Sequence, residues 1–349
     1  MLSYILKRLL LMIPTLIGIT IVTFSISRLA PGDPVETAFG GRGGMGGGAV
    51  EGGGDSYREQ QKMLELRKKK WGLDRPLHIQ YFKWVGNFAR GDFGDSFKYK
   101  TSVAEKIWPA MKVTVLLNVI SLCLIYLLAV PLGIHAAIRR GKPDEKAIGV
   151  TLFGLYSAPS FWVATLALFY LCNPNHLRLF DGIGLHSDNY QELPLVGYFE
   201  GGSWHAGQLS DWLWHLVLPV ICLTYNGLAS LSRYARTGML EVIRKDYIRT
   251  ARAKGLPEKT VIVKHALRNS LIPIVTLMAS LLPAMIGGSV IIEYIFTIRG
   301  MGMLSIESVL GRDYNMIMAI ATLSAVLTLL GMLLSDILYT VVDPRISLE

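Results

Sequence analysis

Six stretches of this chain are apolar for long enough to cross a bilayer, and each is set off by a polar connection. A helix rising 1.5 Å per residue needs about 20 apolar residues to traverse a hydrocarbon core of about 30 Å. Residues 9–27 carry no charge, and Lys7 and Arg8 stand directly before them. That run exceeds the apolar region of a typical signal peptide, about 7–15 residues, and no A-x-A site follows it, so it predicts a retained first span. Further spans are predicted at 113–138, 147–171, 212–231, 271–295 and 316–341. The expected fold class is an all-α integral membrane protein with six transmembrane helices.

Loop charge sets the orientation. The connection 139–146 (RRGKPDEK) holds four basic residues, whereas 173–211 holds Arg178 alone against five acids. The connection 232–269 holds ten Lys and Arg against three acids. Short cytoplasmic loops collect Lys and Arg, so the first and third of these face the cytoplasm, as do both termini. The segment 30–112 is then a large extracytoplasmic loop or small domain; its 14 basic residues do not oppose this, because long loops cross largely regardless of charge. Within it, 40–55 is Gly-rich and reads as a flexible insertion, not a nucleotide site, because no strand precedes it. The expected organisation is a first helix in 1–29, the loop 30–112, a five-helix core in 113–341 containing a cytoplasmic loop at 232–270, and a cytoplasmic tail at 342–349. Trp71, Tyr81, Phe82, Trp84 and Phe88 are candidates to pack the external segment or to lie at the interface.

Composition agrees with a membrane protein. Hydrophobic residues make up 51% and charged residues 17%, below the roughly 25% charged content of soluble domains. The net charge of +9 follows from the basic loops and does not call for nucleic acid. Cys123, Cys172 and Cys222 lack metal-ligand spacing, so no metal site is expected. The chain has no Walker A motif: near Gly141-Lys142, Ala136 stands where the first Gly belongs and Pro143 where Ser or Thr would hold magnesium. No HExxH or GxSxG occurs, and the two acids near span ends, Glu293 and Asp336, suit interface or packing roles. Neither catalytic residues nor a cofactor is expected in this chain.

The most informative stretch is DYIRTARAKGLPEKTVIVKHALRN, residues 246–269. Leu240, Ile243, Tyr247 and Ala251 recur at spacings of three and four, which predicts an amphipathic helix with Arg244, Lys245, Arg249 and Arg252 on its other faces. Gly255-Leu256-Pro257 breaks it, with Gly suited to a helix C′ position and Pro to the first turn of the next helix. Glu258 complements the dipole of that next helix, which carries Val261, Ile262, His265 and Leu267. Small residues at Thr250, Ala251, Ala253 and Gly255 would let another protein's surface approach closely. Three readings compete: a DNA-binding helix-turn-helix, an amphipathic loop lying on anionic lipid, and a docking element for a cytoplasmic partner.

The wording of this loop resembles a known family. RTARAKG at 249–255 followed by HALRN at 265–269 looks like the cytoplasmic loop of permeases of binding-protein-dependent ABC importers, in the dipeptide, oligopeptide and nickel branch. The wider superfamily has Glu-Ala-Ala, three residues, then Gly; here Ala251 and Gly255 match, while Arg249 and Thr250 replace the Glu and first Ala. KRLLLMIPTLIGITIVTF, APGDP (30–34), GLDRP (72–76), GDFGDS (91–96), GLYSAPSFW (154–162), HLVLP (215–219) and DILYTVVDPRI (336–346) are also similar to family landmarks, in the family's order. The Gly-rich insertion and TIRGMG at 297–302 depart from shorter members; the insertion resembles Yej-type peptide permeases.

The resemblance implies a type I ABC importer permease fold in a bacterial or archaeal cytoplasmic membrane. The implied partners are a second six-helix permease subunit, two cytoplasmic ATPases that bind ATP and magnesium, an extracytoplasmic peptide-binding protein and membrane lipid. It makes Tyr247, Arg249, Thr250, Ala251, Arg252, Ala253, Lys254, Gly255, Leu256, Pro257 and Glu258 candidates for coupling to an ATPase. Tyr156, Ser157, Pro159, Asn226 and Ser289 are candidates for the translocation path, the last two as polar groups expected to face the bundle. Glu293, Arg299, Gly300 and Gly302 are candidates for an external gate or binding-protein contact. The alternative is a stand-alone secondary transporter or channel, which would predict an internal repeat or intramembrane charges.

Overall fold

The computed structural model describes residues 2–29, 62, 74–180, 183–196, 198–200, 203–205, 207–267, 270 and 289–342. Its helices are α1 (Leu2–Leu29), α2 (Leu77–Ala89), α3 (Val103–Ile138), α4 (Pro143–Ser157), α5 (Ser160–Ala167), α6 (Gln208–Ile243), α7 (Asp246–Ala253), α8 (Glu258–Thr260), α9 (Val290–Ile295), α10 (Met301–Leu310) and α11 (Tyr314–Val342). Four of these, α1, α3, α6 and α11, are long and apolar enough to span a membrane, and α4 with α5 forms a bent fifth. Most of the predicted fifth span, the insertion 40–55, the APGDP landmark, Trp71 and nearly all of the C-terminal tail lie outside the described residues. The chain groups into two units, one of residues 111–303 with 328–349 and one of 2–110 with 304–327.

The expected all-helical architecture is present, with one short hairpin beside it: Tyr198–Glu200 and Ser203–His205 (β1 and β2) pair antiparallel with Tyr198 opposite His205. Two expectations need correction. Helices α3 and α6 are each 36 residues, about 54 Å, and overrun the predicted spans at 113–138 and 212–231. Hydropathy marks only the part of a helix that meets lipid, whereas backbone hydrogen bonding continues through Lys106 at one end and Arg233–Arg236 at the other. The third span is not continuous: α4 and the segment 160–172 meet at 91°.

The bend has a clear cause. Pro159 has no backbone N–H and stands as the N-cap of α5 with ψ 135°, after Ala158 in extended conformation at ψ 124°. The Ala158 carbonyl loses its helical partner and instead accepts a hydrogen bond from the Tyr225 hydroxyl of α6, at 2.8 Å. In lipid a freed carbonyl must be satisfied from within the protein, and Tyr225 does that.

In the first unit, α6 is the most buried of the long helices. Leu216, Leu218, Val220 and Cys222 on it pack with Leu117 of α3, Ala164 of α5 and Ile292, Phe296 and Ile298. Further along the same helices, Ala129, Leu231 and Ala235 pack together, and Gly133 lets α3 and α6 approach closely, since a Cβ there would run into the Ser232 carbonyl oxygen.

In the second unit, Tyr81, Trp84 and Phe88 of α2 form a chain of edge-on and tilted ring contacts with Phe24 of α1 and with Phe93, and the Tyr81 hydroxyl lies 2.9 Å from that of Thr20. Phe82, by contrast, points outward. The loop 91–100 is tied to the turn before α11 by Asp313. Its carboxylate is fully buried and accepts hydrogen bonds from the Ser96 hydroxyl and from the backbone N–H groups of Phe97 (3.2 Å), Lys98 (3.3 Å) and Met316 (3.3 Å).

Candidate functional site

The basic loop is built from two short helices and a glycine turn. Helix α6 ends at Ile243; Arg244 (φ −88°, ψ −6°) caps it and Lys245 (ψ 149°) is extended before α7 restarts at Asp246. The single amphipathic helix expected through residues 240–251 is therefore broken, and the break shifts the inward face by one position. Ile248 and Ala251 point inward and pack with Ala137, Met239, Val242, Val261 and Ala266, while Tyr247 turns out to the surface. Apolar spacing put Tyr247 on one stripe with Leu240, Ile243 and Ala251 because it assumed an unbroken helix. Asp246 lies in the first turn of α7 and Arg252 in the last, each at the end of the helix dipole that favours its charge.

Gly255 closes α7 in a Schellman arrangement. Its φ is +74°, its N–H donates to the Arg252 carbonyl at 2.9 Å, and the Leu256 N–H reaches the Ala251 carbonyl at 3.4 Å. A left-handed residue is needed here, and only glycine adopts it without a penalty. Pro257 precedes α8, and its carbonyl receives the Thr260 and Val261 N–H groups. Across the turn, the Arg252 guanidinium donates twice to the Glu258 carboxylate, at 2.6 and 3.1 Å. That pairing holds the Glu258 carboxyl below its ordinary range and raises Arg252. From Thr260 the chain continues as a π-helical stretch, Val261–Leu267, anchored by buried Val261 and Ala266.

The outward face of this element is formed by Tyr247, Arg249, Thr250, Arg252, Ala253, Lys254, Gly255, Leu256, Pro257 and Glu258, all exposed. Ala251 does not belong to that face. It is buried against the chain's own core and serves to hold the loop, not to meet a partner. The result is a basic, small-residue surface on a support fixed by hydrophobic packing on one side and a two-point ion pair on the other. Arg268 and Asn269 lie outside the described residues.

The translocation-path candidates fall mostly around the bend. Tyr156, Ser157 and Pro159 are exposed on this chain; the Ser157 hydroxyl bonds the Gly154 carbonyl at 2.9 Å, and the Tyr156 ring lies beneath the Arg233 guanidinium at 5.5 Å. Asn226 is exposed and not turned into this chain's own bundle as expected. It sits beside Tyr225, which takes the inward position and the hydrogen bond to the bend. Ser289 is half-buried at the start of α9, where its carbonyl accepts the Glu293 N–H at 2.9 Å.

The external candidates require a larger correction. Glu293 is 1% exposed, and Gly300 and Gly302 are buried with it, so of the four only Arg299 is at the surface. The Glu293 carboxylate accepts the Thr114 hydroxyl (2.8 Å) on one oxygen and the backbone N–H groups of Gly302 (2.7 Å) and Met303 (3.2 Å) on the other. Thr114 Oγ1 in turn accepts the Met301 N–H at 2.8 Å. The acid thus caps the first turn of α10 from another segment, where free N–H groups and the helix dipole favour negative charge. A Cβ on Gly302 would lie 2.5 Å from the Val290 Cα, so the close approach depends on glycine. Sequence position gave Glu293 an interface or packing role and made all four residues candidates for an external gate or contact; the burial of Glu293 suits packing.

Two further features escaped the sequence reading. Asp313 is separated by more than 200 residues from the loop it holds, and no local pattern reveals such a partner. Arg236 forms an ion pair with Glu145, which also accepts the Gly141 N–H at 2.7 Å, joining the start of α4 to α6.

Residues 129–348 match the family described as binding-protein-dependent transport system inner membrane component. The chain belongs to this family. Its relatives include the oligopeptide transport system permease protein AppB of Bacillus subtilis, 38% identical across 99% of this chain and 100% of that protein. The inner membrane ABC transporter permease protein YejB of Escherichia coli O157:H7 is 33% identical, and the dipeptide transport system permease protein DppB of Escherichia coli K12 is 36% identical, each over 99% of both chains. Among solved structures, an inward-facing form of the MetNI methionine ABC transporter shares the fold, with a TM-score of 0.50 at 15% identity over 69% of this chain and 97% of that one. As a member of this family the protein is a multi-pass inner membrane transport component, and the type I permease fold expected from its landmarks is present.

Proposed function

We propose that this chain is a permease subunit of an ATP-driven importer for di- or oligopeptides or peptide-like compounds, and that residues 247–258, Ala251 excepted, form the surface that engages an ATPase. Its relatives over the full length are named for oligopeptide and dipeptide transport, which supports the substrate class. The observation that carries the coupling role is the construction of the loop. Ile248 and Ala251 lock α7 to the ends of α3 and α6 while its outer face stays exposed, so a push on that face reaches the spanning helices without being absorbed in a slack tether. A second permease subunit completes the path, two ATPases bind ATP and magnesium, an external binding protein delivers substrate, and both termini are cytoplasmic. A stand-alone transporter has no evident use for a rigid basic platform with nothing seated on it.

The test is to tag the protein, extract it from its native membrane in mild detergent and identify what co-purifies. Two P-loop ATPases and a second six-span subunit are expected. Recovery of the chain alone, even with ATP and vanadate present, would overturn the reading.

A further inference from the structure

At the end of the first unit that carries the basic connection 139–146, a cleft of about 550 Å³ opens between α4, α6 and the last turn of α3. Its walls are apolar: Ile148, Leu152 and Phe153 of α4, with Ala136 and Ala229 opposite. Its rim is cationic, formed by Lys146, Arg233 and Arg236, and the one acid there among the described residues is Glu145, which is committed to Arg236. Lys146 and Arg233 have no carboxylate partner among the described residues; Arg233 is steadied by the Tyr156 ring beneath it. The rim therefore carries two uncompensated positive charges.

A second observation points the same way. Ser232 lines the cleft and is buried, yet its hydroxyl has no hydrogen-bond partner among the described residues. Two other hydroxyls on α6 do not share this condition: Thr224 bonds the Val220 carbonyl at 2.6 Å and Thr237 the Arg233 carbonyl at 3.0 Å. An unsatisfied hydroxyl in an apolar membrane setting is costly, and one buried at the edge of a cationic cleft gains a partner when a rotation of Ser232 turns it toward a polar ligand atom.

We infer that this cleft binds an anionic phospholipid, its phosphate at Lys146, Arg233 and the Ser232 hydroxyl and one acyl chain along Ile148–Phe153. The cations lie at the end of α4, within about three turns of the end of α6, and the apolar wall continues from them along α4, which is the order of head and tail in an amphiphile. Basic pockets between spanning helices near the cytoplasmic surface are suited to such headgroups. A soluble anion would satisfy the rim and leave the apolar wall bare; a zwitterionic lipid would supply the chain without net charge for the rim. The wall also opens outward through Val150 and Phe153, 73% and 64% exposed, so a chain has lateral entry.

The test uses the whole importer in phosphatidylcholine nanodiscs, with a trace of phosphatidylglycerol carrying a photoreactive acyl chain and peptide mapping of the adducts. Adducts are expected on 148–153 and 229–236, at least tenfold above those from the matching phosphatidylcholine probe. The double variant Lys146→Gln, Arg233→Gln should reduce labelling about thirtyfold, the factor for two headgroup-facing cations at ~1 kcal/mol each. Ser232→Ala removes no packing partner and keeps the charges; it should reduce labelling about fivefold with an unchanged melting temperature, whereas Lys259→Gln, outside the cleft, should leave it unchanged. Equal labelling by both probes, full competition by inorganic phosphate, labelling indifferent to these cleft variants, or labelling only after the second permease subunit is stripped away would each overturn the proposal.

Discussion

Replacing Gly255 should damage coupling through backbone conformation and not through bulk. At φ +74° an added Cβ meets no atom within 4 Å, so the fold itself imposes no steric bar to a side chain. The cost is that of holding an L-residue in the left-handed region, about 1–2 kcal/mol, more for β-branched residues and less for Asn, whose side chain tolerates this conformation. A penalty of that size lowers the population of the closed Schellman turn about 5- to 30-fold relative to opened alternatives. The turn carries both hydrogen bonds that end α7 and positions Glu258 for Arg252, so its opening releases the outer face from its support. In proteoliposomes containing the complete importer, substrate transported per ATP hydrolysed should fall in the order Gly, Asn, Ala, Val, with membrane insertion and subunit assembly retained. If Ala outperformed Asn, so that activity followed side-chain volume, contact with the partner and not conformation would govern the site. A Val variant with wild-type coupling would refute the reasoning altogether.

Other predictions test the supports individually. Glu258→Gln should lower the stability of the loop by up to about 1 kcal/mol at pH 7, since the pair with Arg252 is exposed. Because Arg252 depresses the Glu258 carboxyl, the contribution is complete above the ordinary carboxylate range near pH 4.5 and fades as pH falls through the lower native value. Hydrogen exchange of 252–260 should therefore distinguish the two proteins at neutral pH and converge in acid; a constant gap down to pH 3 would contradict the pairing. Glu293→Ala should cost about 3 kcal/mol or more, read as a fall in the melting temperature of the purified complex, because Thr114 and the first turn of α10 lose a buried acceptor. Tyr225→Phe should cost about 1–2 kcal/mol by stranding the Ala158 carbonyl at the bend, and an unchanged melting temperature would show that water or another group already satisfies it.

How far the sequence could be read depended on the range of the interaction. Hydropathy found the spans that lie among the described residues because lipid contact acts residue by residue, and the missing donor of Pro159 is a local fact that the sequence carries. The 91° angle was hidden, since it depends on Tyr225 arriving from another helix. In the basic loop, the glycine turn was legible and the register of α7 was not: the extended Lys245 leaves no composition signal, and a one-residue shift exchanges Tyr247 for Ile248 at the core. Glu293 and Asp313 are buried acids whose partners are mostly backbone N–H groups, which every residue but proline carries, so no side-chain pattern announces them.

The two-sided build of α7 divides mutational freedom within eight residues. Ile248 and Ala251 are accountable only to this chain, and changes there are judged by folding before any partner is present. Ala253 and, just past the helix, Lys254 lie exposed on the other side and answer mainly to whatever they meet, so they have more room to drift in step with it. Transporters assembled from related parts can thus diverge into separate sets by altering the outer residues alone, and an exchange of those outer residues between two relatives should redirect which ATPase each one recruits while leaving both folds intact.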